Sequence, residues 1–344
     1  VRAVSTLGLL VVSLASVLAL AEGVTRLLSP LQLGFQFDGE VFSSPAEFEI
    51  DSQRNRWGCH DVEHDLSQPA DRILLLGDSY VDAHSVPLAA TLGRRLAEYT
   101  QREVVACGMA GMGQREELNV LQKLGPDVAP SVVVTLMLLF NDVADNYPPL
   151  RSESRRQWKE MRRFRPGWVR FSADEAPFLL VRGSRLNQLV SHRAAGFLLR
   201  SPDEIPLDYF VYASEVDERW EEAWQATEEL LLLTRDRAEA LGARYVIVSA
   251  STPHGILGAA AGRQALLSTY PAMASRDWDL DLPDRRVAEI ARADGIPFLA
   301  LEPLLRSRQR ETGQRLHWKY DGHWNEAGND EAARAIAAFL RELP

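Results

Sequence analysis

The chain has 344 residues, 46% hydrophobic and 25% charged, which suits one large or two small globular domains and excludes wholesale disorder. A formal net charge of -10 argues against a general nucleic-acid binder, which needs a basic face. Two cysteines, Cys59 and Cys107, are too few for a disulfide scaffold, and their pairing would require an oxidising compartment; no His/Cys cluster has zinc spacing.

Arg2 precedes an uncharged run over residues 3–21, rich in Leu, Val and Ala. Its 19 residues span close to 30 Å as a helix at about 1.5 Å each, enough for a hydrocarbon core. The apolar pattern continues into Val24, Leu27 and Leu28, which favours an uncleaved signal anchor over residues 1–30. Ala19-Leu20-Ala21 has the small-x-small form of a cleavage site, so a cleaved signal peptide competes, and a buried soluble helix is the third reading. The first two place the rest of the chain outside the cytoplasm, in a periplasm, at the cell surface or secreted. Ser29-Pro30 breaks this helix, and residues 31–70 read as an irregular approach segment.

From residue 71 a strand–helix rhythm begins. Continuous apolar runs at 73–76, 104–107 and 132–138 predict strands buried on both faces, with helices over 89–99 and 114–124 between them. Residues 147–215 interrupt the rhythm as an insertion or lid. They include eight cations between Arg151 and Arg170, opposed only by Glu153 and Glu160. That stretch reads as a solvated helix face or, more sharply, as a contact for anionic glycan or phospholipid headgroups. The rhythm resumes with a helix over 216–241, carrying Trp220, Trp224, Thr227 and Leu231 on one face. A strand over 245–248, a helix over 285–293, a strand over 297–301 and a final helix capped by Asn325 follow. Alternating strands and helices predict a central parallel sheet with helices on both faces, and ligands beyond the carboxyl ends of its strands.

Four features fall at those ends or just before the last helix. Gly77-Asp78-Ser79 follows the first strand, which would project the Ser79 hydroxyl from a strand-to-helix turn; the plain alternative is a tight turn with a capping Ser. Asp321-Gly322-His323 supplies a base for a serine hydroxyl and an acid to orient that base, although a lone Asp-x-His is more often structural. Asn141 ends the third strand and offers a side-chain amide to a developing oxyanion, or else caps a turn. Residues 108–113, with Gly108, Gly111 and Gly113, allow close backbone approach but lack dinucleotide spacing.

With these residues in this order, the chain from Arg72 onward resembles the SGNH/GDSL hydrolase superfamily. Gly77-Asp78-Ser79 matches its first block, with Tyr80 where Leu often stands. Gly111 matches the second-block glycine, with Ala106 in place of the usual Asn. Asn141-Asp142 matches the third block, with Leu139 in place of its glycine. The acid stands two residues before His323 rather than three, where Tyr320 is, a spacing similar to the alginate O-acetyltransferase-related branch.

The resemblance implies an α/β, three-layer, flavodoxin-like fold over residues 71–344 and acyl-ester chemistry needing no metal or organic cofactor. Ser79 would be the nucleophile, His323 the general base and Asp321 its partner. The Ser79 N–H, Gly111 N–H and Asn141 amide would form the oxyanion hole. Of the other residues, His254 and Trp324 are candidates for substrate contact. His84 either lines the site or sits on the surface. His317 and Trp318 read as a pocket wall or a packed loop, Asp142 as a loop-fixing residue, and His60 and His64 carry no assigned role. The expected function is hydrolysis of an O-acylated glycan or lipid outside the cytoplasm, by a protein held at the membrane through residues 3–21. O-acetyl transfer to an exported polysaccharide is the alternative, and a non-catalytic glycan-binding or assembly subunit a third.

Overall fold

The computed structural model describes residues 2–28, 36–38, 41–44, 47–51, 53–68, 70–163, 205–319 and 321–343. Helix α1 covers Arg2–Leu28. Among the described residues no helix is long and apolar enough to cross a membrane. That falls short of the expected spanning helix.

The approach segment is not wholly irregular. Strands β1 (Gln36–Asp38), β2 (Val41–Ser44) and β3 (Phe48–Asp51) form an antiparallel meander with Phe42 opposite Phe37 and Ile50. The chain then builds β4 (Arg72–Gly77), the short helix α2 (Ser79–Asp82), α3 (Leu92–Thr100), β5 (Glu103–Gly108), α4 (Gln114–Val128), β6 (Val132–Met137), α5 (Leu139–Asp145) and α6 (Pro148–Arg163). The middle of the expected insertion, residues 164–204, lies outside the described residues, as do Arg165 and Arg170. At its far end the 3-10 turn Leu207–Tyr212 buries Leu207, Tyr209, Val211 and Tyr212 in the core. Next come α7 (Glu218–Ala240), β7 (Arg244–Ser249), α8 (Ala259–Thr269), α9 (Leu282–Ala293), β8 (Phe298–Ala300), α10 (Leu301–Thr312) and α11 (Glu326–Glu342).

The large sheet is parallel throughout, in the order β5-β4-β6-β7-β8. Strands β4 to β7 are mostly buried and the edge strand β8 is half-buried, and period-2 alternation assigns each residue to one layer. Leu74, Leu76, Val105, Val133, Tyr245 and Ile247 pack with α4, α7 and α9; the face of α7 carrying Trp220, Trp224 and Leu231 lies here. Ile73, Leu75, Val104, Val134, Val246 and Val248 pack with α3, α10 and α11. This is the expected three-layer α/β arrangement. The first strand, β4, sits between the second and third, so the chain reverses its direction of travel across the sheet there. A crevice opens at the carboxyl ends of strands at such a point, and Ser79 and Asn141 stand at the ends of β4 and β6.

Candidate active site

Asp78 begins the site. It caps α2, its Oδ1 accepting the Tyr80 N–H at 2.9 Å, and so turns the chain sharply at Ser79. The turn is pressed onto β5: a Cβ on Gly108 would lie 2.6 Å from the Asp78 carbonyl and 2.8 Å from the Asp82 nitrogen. Only glycine fits that approach. Here the 108–113 stretch supports the Ser79 backbone rather than merely turning a strand into a helix.

Ser79 Oγ lies 2.9 Å from His323 Nε2, and His323 Nδ1 lies 2.7 Å from Asp321 Oδ1. Asp321 also accepts the His323 backbone N–H at 3.1 Å, possible because Gly322 between them takes φ +91°. The structure thus brings together all three residues of the expected triad, from opposite ends of the domain. Tyr80 packs on His323 with ring centroids 5.2 Å apart, and its hydroxyl donates to the Gly322 carbonyl at 3.3 Å. The departure from Leu at this position therefore places an aromatic ring against His323.

Charge is graded across the triad. Burial works to raise the Asp321 pKa, but the hydrogen bond and charge of His323 outweigh it and hold it below the ordinary range. Burial works to lower that of His323, yet the hydrogen bond to Asp321 and the charges of Asp321, Asp78 and Asp82 leave it raised. Asp78, whose Oδ2 is 3.4 Å from Ser79 Oγ, is pushed up by burial.

Asn141 occupies the first turn of α5. Its amide nitrogen donates to Asp145 at 3.2 Å, and its Oδ1 is buried without a hydrogen-bond partner among the described residues. Gly111 takes φ +76°, and its carbonyl accepts from Arg151 at 2.9 Å and Arg155 at 3.1 Å. Arg151 also pairs with Glu116 and Asp145. The first cations of the basic stretch thus face the glycine loop instead of forming only a solvated surface. Asp142, fully buried, accepts the Leu138 N–H at 3.0 Å and the Gln114 amide at 2.9 Å, fixing the β6–α5 loop. Behind it, burial and the nearby acid groups raise Glu117 to about 8.

Trp324, expected near substrate, is 1% exposed. Its indole N–H donates to Ser251 Oγ at 2.9 Å, and its ring meets Tyr80 edge-on. It is a packing residue, because the antiparallel bridge His317↔Trp324 turns its side chain into the core. His317 is likewise buried against Ser251, and burial lowers its pKa to about 4. Trp318 packs against Phe48, with the rings tilted and their centroids 5.5 Å apart. His254 is half-buried in the loop after β7, with Tyr209 Oη 3.5 Å away. His84 is not a surface residue: it is 9% exposed, and its ring meets His323 edge-on at 5.2 Å.

Sequence reading missed what the approach segment contributes. The Glu47 carboxylate accepts the backbone N–H of Lys319 at 2.5 Å and of Asp321 at 3.0 Å, clasping the loop that carries the acid. Arg54 pairs with Asp82 at 2.9 Å, and His60 Nδ1 meets the Asp82 carbonyl at 2.7 Å. Cys59 and Cys107 form a disulfide, and Asp61 accepts the Ala106 N–H at 2.8 Å. His60 and His64, given no role from sequence, are members of this seam; His64 bridges Asp61 and Glu103. Only the Ala106 position, where the family's Asn is missing, hinted that this strand is held differently.

No curated protein matches the sequence. Solved structures that it resembles include an α/β hydrolase from the metagenome of Lake Arreo, at 12% identity and a TM-score of 0.43, covering 80% of this chain and 96% of that one. An acetyl-xylooligosaccharide esterase from Geobacillus matches at 15% identity and a TM-score of 0.41, covering 78% and 94%. A GDSL-like lipase from Bacteroides thetaiotaomicron matches at 12% identity and a TM-score of 0.35, covering 79% and 89%. Residues 212–344, which carry Asp321 and His323, match the family described as SGNH hydrolase-like domain, acetyltransferase AlgX. The resemblance read from the motif blocks therefore lies with the SGNH superfamily, near its AlgX branch.

Proposed function

We propose that the chain is a serine-dependent acyl-ester hydrolase acting on an O-acylated glycan or lipid outside the cytoplasm. The observation that carries this is the continuous hydrogen-bonded line Ser79–His323–Asp321, at 2.9 and 2.7 Å. Ser79 Oγ attacks the ester carbonyl carbon as its proton passes to His323 Nε2. Asp321 stabilises the imidazolium. The tetrahedral oxyanion is held by the Ser79 and Gly111 N–H groups and by the Asn141 amide, which gives up Asp145 to reach it. Collapse expels the alcohol, which takes the proton from His323 and leaves an acyl-Ser79 ester. A water then attacks that ester, His323 takes its proton, and the acid leaves as Ser79 recovers its hydrogen.

The match of residues 212–344 to an acetyltransferase family favours a second reading, in which a sugar hydroxyl replaces that water and the product is an O-acetylated polysaccharide. The disulfide supports an oxidising compartment. The exposed Leu9, Leu10, Val11, Val12, Leu14, Val17 and Leu18 support attachment of α1 to a membrane. His254 is proposed to contact substrate from the loop after β7.

The test treats the full chain in detergent with a fluorophosphonate probe, then supplies acetyl esters with and without an oligosaccharide acceptor. Labelling at Ser79 and acetate release without acceptor are expected. Acceptor-dependent turnover alone would select transfer, and an unlabelled Ser79 would leave the glycan-binding subunit. Ser79→Ala is expected to keep the parent circular dichroism and melting temperature while turnover falls by at least ~10³-fold.

A further inference from the structure

We propose that Gln114 and Asn146 are positioning residues that set the spacing of the oxyanion hole. The two donors that join the Ser79 N–H there come from separate elements. Gly111 lies in the loop before α4, and Asn141 lies in the first turn of α5. The chain between them runs through α4 and β6, so no local turn fixes their separation. A pair of side-chain amides does. Gln114 opens α4 and Asn146 follows the last residue of α5. Asn146 Oδ1 accepts the Gln114 backbone N–H at 2.9 Å, and Asn146 Nδ2 donates to Gln114 Oε1 at 2.6 Å.

Each amide nitrogen carries two hydrogens, and all of them have acceptors. Those of Gln114 go to Asp142 Oδ2 at 2.9 Å and Glu117 Oε1 at 3.3 Å. Those of Asn146 go to Gln114 Oε1 and to Thr227 Oγ1, on α7, at 3.0 Å. Turning Gln114 over would set its oxygen against two carboxylates and its nitrogen against that of Asn146, so the pair has one orientation. Gln114 and Asn146 are 1% and 0% exposed, and water does not compete for these bonds. The backbones are just as close: a Cβ on Gly113 would meet Asn146 Oδ1 at 2.8 Å and Asp145 Cβ at 3.2 Å. Asp145 receives the Asn141 amide at 3.2 Å, and Asp142 is the next residue after Asn141. The amide pair therefore holds the neighbours of both donors without touching the reacting atoms.

The proposal rests on the serine mechanism above, and its test on the full chain in detergent separates the two. Gln114→Met keeps the length of the side chain and removes its polar groups. It should lower kcat for 4-nitrophenyl acetate by about 10²-fold, the cost of a misplaced reacting geometry, and leave KM within about twofold. Asn141→Ala by itself should lose about 10²–10³-fold, and in that background Gln114→Met should cost less than about tenfold, because the spacing then has one donor fewer to serve. Hydrogen exchange of Gln114→Met should show the amides of residues 111–114 and 138–142 losing protection while those of β4 keep it. Equal losses of kcat in the two backgrounds would overturn the proposal, as would a loss carried by KM or unaltered protection. Should Gln114→Met fail to fold, the isosteric Thr227→Val, which removes the support behind Asn146, should lower kcat by about tenfold with the same dependence on Asn141. Equal losses in both backgrounds would again overturn it. An unlabelled Ser79 in the fluorophosphonate experiment would instead remove the serine mechanism, and hydrogen exchange would still decide whether the amide pair holds the loop.

Discussion

At the scale of single residues, His323 is pulled in two directions. Burial disfavours its charged form, while the hydrogen bond to Asp321 and the surrounding carboxylates favour it and win. A general base works only when neutral, so turnover should rise with pH through an apparent pKa above the ordinary 6.5 of histidine. Asp321→Asn removes the main groups that raise it and leaves the burial. The acidic limb of kcat/KM should then move to lower pH while kcat falls by about 10³–10⁴-fold, because the amide favours the wrong tautomer. A limb that stays in place would show that another group titrates. Ser79, Asp321 and His323 were legible because each sits in a short motif at a predictable strand or helix boundary. His84 and Glu47 were not, because what matters about them is proximity across 239 and 274 residues, from His84 to His323 and from Glu47 to Asp321. Trp324 misled for the opposite reason: adjacency to His323 in sequence says nothing about which way a bridged residue points.

At the scale of elements, the acid loop is held from outside the domain that sequence reading delimited. Glu47, just ahead of β3, gathers two backbone N–H groups of the loop, and Phe48 packs at a tilt against Trp318 beside it. Glu47→Ala leaves those donors without their carboxylate, a cost of about 1–3 kcal/mol where they are buried. It should lower kcat for ester turnover more than it raises KM, since a displaced Asp321 affects the base and not substrate binding. Glu47→Gln keeps an acceptor oxygen and should restore most of the loss. Equal loss in both variants, tracking melting temperature, would mean that Glu47 only stabilises. The three strands here are too short, at three or four residues, to show alternation. Helix α8 escaped notice because its Ala- and Gly-rich sequence buries only Gly262 and Leu266 and shows no apolar stripe. The boundary of β8 and α10 falls inside one apolar run, where Leu301 already begins the helix. In contrast, β4 and β6 are buried throughout and β5 and β7 in all but their first residue, and a run of mostly Val, Ile and Leu marks them plainly.

At the scale of the whole molecule, a seam of contacts besides the Glu47 clasp ties the approach segment to the α/β domain. The disulfide joins residues 48 apart, Cys59 in the segment and Cys107 near the end of β5. Around it lie Asp61 on the Ala106 N–H, His64 on Glu103 and Arg54 on Asp82, the last carrying the seam to α2 and so to Ser79. A cross-link over a loop of that length contributes about 2–4 kcal/mol through the unfolded chain. Its loss should act first on the segment, which among the described residues is also tied by hydrogen bonds, ion pairs and the packing of Trp57 and Leu66 on the core, and release Glu47 with it. The double variant Cys59→Ser/Cys107→Ser should therefore melt lower and, on heating, lose ester turnover several degrees before the far-UV signal of the sheet falls. The parent protein should lose both together. Hydrogen exchange locates the event: amides of residues 53–64 should lose protection in the double variant while those of β4 and β6 keep it. Coincident loss of turnover and ellipticity in the variant would mean that the seam stabilises the fold without governing the site.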